Sequence, residues 1–128
     1  MPYTINRTIT DADFATVEAR TRAALAAQGF GVLTEIDVGA TMKKKLNKDM
    51  PPYLILGACN PGMAYAAIMM EPRVGAMLPC NVVLREVENG IEVSAIDPQA
   101  SMTAIDNSEL KTLAGQVRKM LETAVAAI

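Results

Sequence analysis

The sequence predicts a single two-layer α+β domain over residues 1–128, with helices packed on a mainly antiparallel sheet in the order β-α-β-α-β-α-β-β-α. Three observations carry that prediction. Short runs rich in β-branched residues alternate with segments of helical periodicity along the chain. Asn89-Gly90 joins two apolar runs and is the strongest short signal for an antiparallel hairpin. No linker or low-complexity segment divides the 128 residues, a length that one core can serve without disulfide or metal.

Residues 3–9 alternate in polarity and favour strand. Thr10 and Asp13 then resemble a helix cap with an acid in the first turn. Phe14, Val17, Thr21 and Leu25 recur at helical spacing, and Gly29 closes the helix. Val32, Thr34, Ile36 and Val38 share one parity of a second strand, which would turn Glu35 and Asp37 outward. Residues 39–47 read as a short helix with Met42 and Leu46 on one side. Lys43, Lys44 and Lys45 could hold an anion, but no Gly-rich phosphate loop accompanies them, so they read as a solvated face.

Pro51-Pro52 stops that helix. Tyr53–Cys59 is apolar on both parities, as in a strand covered on two sides. Asn60-Pro61 starts a helix, with Asn as cap and Pro in the first turn. It runs to about Glu71 with Met63, Ala67 and Met70 on one side, and Pro72 ends it. Residues 78–87 and 91–96 form the hairpin. A two-residue loop pairing Glu88 with Ile91 would set Leu84 opposite Ala95 and Glu86 opposite Val93. Val82, Leu84, Ile91, Val93 and Ala95 make its apolar face. Cys80 shares that parity and Asn81 does not. Asp97-Pro98 opens a connection. Asp106 with Glu109 reads as a further cap, and Leu110, Leu113, Val117, Met120, Leu121, Ala124 and Ile128 line one face of the last helix.

Composition narrows function mostly by exclusion. Hydrophobic residues are 51% and aromatics 4%, so aliphatic side chains and nine methionines must fill the core. The formal charge is −2 and no basic stripe interleaves with aromatics, which argues against nucleic acid. Gly, Pro or charge breaks every apolar stretch before membrane-spanning length. The N-terminal residues lack a secretory pattern, so a cytoplasmic location with reduced cysteines is expected. The chain has no histidine, which removes Ser-His-Asp and Cys-His chemistry and the commonest metal ligand.

The residues best suited to chemistry are the two Cys-Asn pairs, Cys59-Asn60 and Cys80-Asn81, which contain the only cysteines. Cys59 precedes a helix N-terminus, where free N–H groups favour a thiolate. Its alternative is a small hydrophobe at a strand end. Cys80 starts a core-parity strand, where the packing role weighs more. If their strands are neighbours, two thiols would suit a soft ion such as Cu(I), with a nearby Met. Zinc would need four ligands, and the spacing is not that of Cys-x-x-Cys redox sites. Tyr65 and Arg73 are polar neighbours in this region that read as ordinary half-buried and surface residues.

At these residues the chain resembles the domain of unknown function 302 family. The resemblance rests on Pro52-Tyr53-Leu54-Ile55-Leu56-Gly57-Ala58-Cys59-Asn60-Pro61, on Gly75 and Leu78-Pro79-Cys80-Asn81-Val82-Val83, and on the 30–38 segment with Thr41 and Lys43 to Leu46. Ser94-Ala95-Ile96-Asp97-Pro98 also fits. It implies a compact α+β domain with helices on a largely antiparallel sheet, and it admits dimers. It implies no activity. Family members often carry a His in the helix after Asn-Pro, where this chain has Tyr65.

The leading expectation is therefore a non-enzymatic protein that binds a small molecule or soft metal ion at Cys59, Asn60, Cys80 and Asn81. The Asn amides would orient the ligand. One alternative is a thiol-dependent redox or transfer enzyme using Cys59. The other is a structural domain with core cysteines that only dimerises or binds a protein, which an exposed apolar face on the 63–70 helix would favour. A homodimer is expected in any of these roles.

Overall fold

Alternation along the central strands builds the core. Val82 and Leu84, Ile91, Val93 and Ala95, and Leu56 and Ala58 are all nearly inaccessible, and each set is spaced by two. The computed structural model describes residues 2–128. Its strands β1 (Thr4–Ile9), β2 (Gly31–Asp37), β3 (Tyr53–Cys59), β4 (Cys80–Val87) and β5 (Gly90–Ile96) form one sheet in the order β1-β5-β4-β3-β2. Every neighbouring pair is antiparallel. Helices α1 (Phe14–Ala27), α2 (Val38–Leu46), α3 (Pro61–Met70), α4 (Pro98–Ser101) and α5 (Ser108–Ala126) complete the α+β domain. A 3-10 turn at Pro72–Met77 and the short α4 add to the expected element order.

The main core lies between the sheet and helices α1 and α5. Thr21 is fully buried inside α1 and donates its hydroxyl to the Val17 carbonyl at 2.7 Å, so its polar atom is satisfied within the helix. A second, smaller cluster of Ala67, Val74, Met102, Leu110 and Ala114 joins α3, the 3-10 turn and the start of α5. α4 hangs from Asp97, a buried carboxylate that accepts from the Gln99 N–H at 2.9 Å and pairs with Arg118 of α5 at 2.9 Å.

Four local expectations are corrected. Asp13 itself caps α1, accepting from the Thr16 N–H at 2.8 Å, and Thr10 lies outside the helix. Strand β2 carries a bulge: Val32 pairs with Ala58 and Thr34 with Gly57, leaving Leu33 as the extra residue. Parity flips there, so Glu35 turns to the helix side and pairs with Arg22 of α1. Ile36 stays 48% exposed. The hairpin loop is Glu88-Asn89, one position earlier than expected, which pairs Leu84 with Val93 and Glu86 with Ile91. Asn107, not Asp106, caps α5. Its Oδ1 accepts from the Leu110 N–H at 3.0 Å, while its Nδ2 donates to the Met70 carbonyl at 3.3 Å and ties α5 to the end of α3.

The hairpin shift has a steric cause. Gly90 is a strand residue of β5 and lies against the backbone of Ile9, where an added Cβ would collide with the Ile9 carbonyl oxygen. Glycine is needed there for close approach. Gly57 is hemmed in by Thr34 and Pro79, which covers β3 locally on its outer side. The lysines of α2 are exposed, and Lys43 pairs with Asp49 at 3.1 Å, so that face is solvated.

Gly90→Ala should cost about 1–3 kcal/mol because β1 or β5 must shift. Gly31→Ala, with open space around the position, should stay within about 0.5 kcal/mol. Chemical denaturation of the two variants checks both values.

Candidate functional site

Strand β3 ends at Cys59 and the chain turns at once into α3. Asn60 adopts an extended conformation and caps the helix, its Oδ1 accepting from the Met63 N–H at 3.3 Å, with Pro61 in the first turn. Cys80 opens β4 directly opposite Ala58. The end of the sheet thus meets the start of α3, and α4 and α5 close the space from the side.

A cavity of about 40 Å³ lies at this junction. Cys59, Asn60 and Cys80 border it from the sheet end, Met63 and Ala67 from α3, and Met102 and Ala114 from the segment after α4 and from α5. No charged side chain lines it, and its walls are almost entirely apolar. A water occupies roughly 10–15 Å³ by this kind of measure, and an apolar cavity of about 150 Å³ holds benzene while staying free of water. The space therefore suits one ion or one short alkyl group.

The two cysteines occupy different environments. Cys80 is 7% exposed. Burial, and secondarily the neighbouring Cys59, push its thiol up to about 11. Cys80 is therefore a neutral thiol at physiological pH. Cys59 is half-buried. It follows Ala58 on the strand, so pleat alternation starts its side chain from the opposite sense to Cys80. Both cysteines are free.

The four residues singled out from the sequence are divided by the fold. Cys59, Asn60 and Cys80 border the cavity. Asn81 is exposed and pairs with Gly57 on the other sheet face, where it lines a separate surface hollow with Pro79 and Ile96. Tyr65 and Arg73 are exposed and do not line the cavity. No group of three or more His, Cys, Asp or Glu that could hold a metal occurs among the described residues. Sequence reasoning missed Met102 and Ala114 as cavity residues. The small Ala114, set among Leu110, Leu113 and Val117, was an available sign of room.

The model of the family described as "Domain of unknown function DUF302" matches residues 5–128. The chain belongs to the DUF302 family. A crystal structure of an uncharacterized conserved DUF302 protein from Bacillus stearothermophilus has a TM-score of 0.90 to this domain at 24% identity. The match covers 99% of this chain and 98% of that one. At that identity the likeness speaks for the DUF302 fold. No curated protein matches the chain. No helix among the described residues is long and apolar enough to cross a membrane.

The raised Cys80 thiol has a definite pH signature. Its folded value of about 11 lies above the 9.0 of an unburied thiol, so the folded state holds the proton longer. The resulting stability is complete below about pH 9 and is lost as pH rises through about 11. Denaturation of the wild type should show that loss, and Cys80→Ala should remove this component. At pH 8 roughly one Cys80 in a thousand is thiolate, so alkylation followed by peptide mapping should modify Cys59 well before Cys80.

Proposed function

We propose that this DUF302 protein is a non-enzymatic binding protein whose ligand, a small molecule or a soft metal ion, enters the cavity at the end of β3 and β4. The observation that supports this reading is that three of the four Cys-Asn residues border one cavity, although Cys59 and Cys80 are 21 positions apart in the sequence. An enzymatic role for Cys59 has less support. The chain has no histidine to serve as its base, and burial holds Cys80 protonated.

Size and lining narrow the ligand. A space of about 40 Å³ is too small for the drug-sized ligands that fill pockets of roughly 300–1,000 Å³. The sulfur-bearing residues around it are Cys59, Cys80, Met63 and Met102. Soft thiolate and thioether donors select Cu(I) over harder ions. Coordination by Cys80 requires its thiol proton to leave as the metal–sulfur bond forms, so metal affinity rises with pH. Asn60 spends its carbonyl oxygen on the α3 cap, which leaves its amide nitrogen as a donor to an apolar ligand's polar end. Asn81 would serve only a ligand on the opposite face.

The test is titration with Cu(I) under reducing conditions and, separately, with xenon and short alkyl alcohols, followed by NMR. One equivalent of either class should bind. Cu(I) affinity should rise between about pH 6 and 8 by up to about tenfold per pH unit for each thiol proton released. Cys80→Ala should abolish metal binding. Uptake of neither class would overturn the proposal and leave the cysteines as packing residues.

A further inference from the structure

The longest run of consecutively exposed residues among those described is 43–52, the last turn of α2 and its link to β3. Helix α2 has no fully buried residue. Its half-buried positions, Val38, Gly39, Thr41 and Met42, all lie in its first turns. Only the start of the helix therefore rests on the domain, and its end projects. Asn47 then takes a left-handed conformation, with φ 53°, and turns the chain back. Four of the chain's six lysines stand on this tip: Lys43, Lys44, Lys45 and Lys48. Lysines in the last turn of a helix offset its dipole, but that accounts for no apolar residue among them. Leu46 is 62% exposed and Met50 39%.

From this placement we infer that the 43–50 tip is a docking surface for an anionic lipid bilayer. Charge identifies the partner. The carboxylate within the tip, Asp49, is paired with Lys43 at 3.1 Å, which leaves an excess of ammonium groups. The whole chain is net negative, so acids outnumber bases over the remainder. An anionic surface attracts the tip and repels the rest, which orients the domain as it approaches. The apolar residues choose among anionic partners. The tip has no aromatic side chain to stack on a base and no arginine to read one. Leu46 and Met50 flanked by lysines suit a bilayer, where apolar side chains enter the acyl boundary and lysine stems lie along it. The contact is peripheral, since no helix among the described residues is long and apolar enough to cross a membrane.

Each lysine near an anionic surface raises binding by about fivefold, and inserting one leucine adds about tenfold. Docking is therefore weak and reversible, with half-binding at roughly millimolar lipid. Strand β3 starts beside the tip and ends at Cys59. Its length sets the cavity about 20 Å along the strand from the contact. The inference does not depend on any ligand being bound there.

Cosedimentation of the full chain with vesicles tests the inference. Phosphatidylcholine vesicles carrying about 30% phosphatidylserine, at up to about 5 mM lipid, should bind the protein, and pure phosphatidylcholine should not. Raising salt from about 50 to about 300 mM should release it. Lys44→Gln and Lys45→Gln should each weaken binding by about fivefold, and Leu46→Ser by up to about tenfold. All three positions are exposed, and an unchanged melting temperature confirms the fold. Lys119→Gln removes the same charge from an exposed position on α5 and should change binding less than about twofold. Absence of binding to the anionic vesicles, or equal binding to the neutral ones, would overturn the inference. So would a Lys119→Gln loss as large as the tip variants', or a Leu46→Ser variant that binds as the wild type does. Binding to polyglutamate without binding to vesicles would overturn it in favour of an acidic protein partner.

Discussion

The register between β3 and β4 is the constraint on which the rest of this structure depends. Leu54 faces Leu84, Leu56 faces Val82, and Ala58 faces Cys80. A one-residue slip would turn this set to the outer face, at roughly 1.5–3 kcal/mol for each large side chain exposed. The same register puts Cys80 at the first position of β4, opposite Ala58 near the end of β3. Since Asn60 caps α3 immediately after Cys59, the helix has to begin where the sheet ends. The cavity is the space left where a strand end, a helix start and α5 meet around small residues such as Ala58, Ala67 and Ala114.

That arrangement sets the chemistry available. A thiol at the start of a core strand is desolvated, and desolvation favours its neutral form. The asparagine that might orient a ligand already spends its acceptor on the helix cap. What remains is a sulfur-rich apolar niche suited to a soft or apolar occupant. Helix α3 links this niche to the surface: its inner arc lines the cavity and its outer arc carries Tyr65, Ile68 and Met69 into solvent. A helix with no charge on either side has no intrinsic preference for which arc is buried. Here the sheet end supplies one wall for it.

Much of this was legible in the residues. Asn60-Pro61 and Glu71-Pro72 mark the ends of α3 through local backbone chemistry, and the hairpin's apolar parity places Val82, Leu84, Val93 and Ala95 correctly in the core. The misses share a cause. The bulge at Leu33, the earlier hairpin loop and the choice of Asn107 over Asp106 each turn on a partner remote in sequence. Those partners are β3 for the bulge, the Ile9 backbone for Gly90, and the Met70 carbonyl for Asn107. Local propensity ranks Asp106 and Asn107 about equally as caps, and the amide can both accept from α5 and donate to α3 where a carboxylate cannot.

Periodicity and capping residues, acting over a few positions, were enough by themselves to determine the α+β class, the extent of each long element and which face of the hairpin is apolar. They also singled out Cys59-Asn60 and Cys80-Asn81. Only the tertiary structure decided that Cys59, Asn60 and Cys80 border one cavity while Asn81 looks out from the other face, and that Tyr65, Ile68 and Met69 of α3 are left in solvent. These outcomes depend on strand order and on what stands across the sheet. Such long-range pairings are settled by the burial of the whole core, not by the neighbours of any one residue.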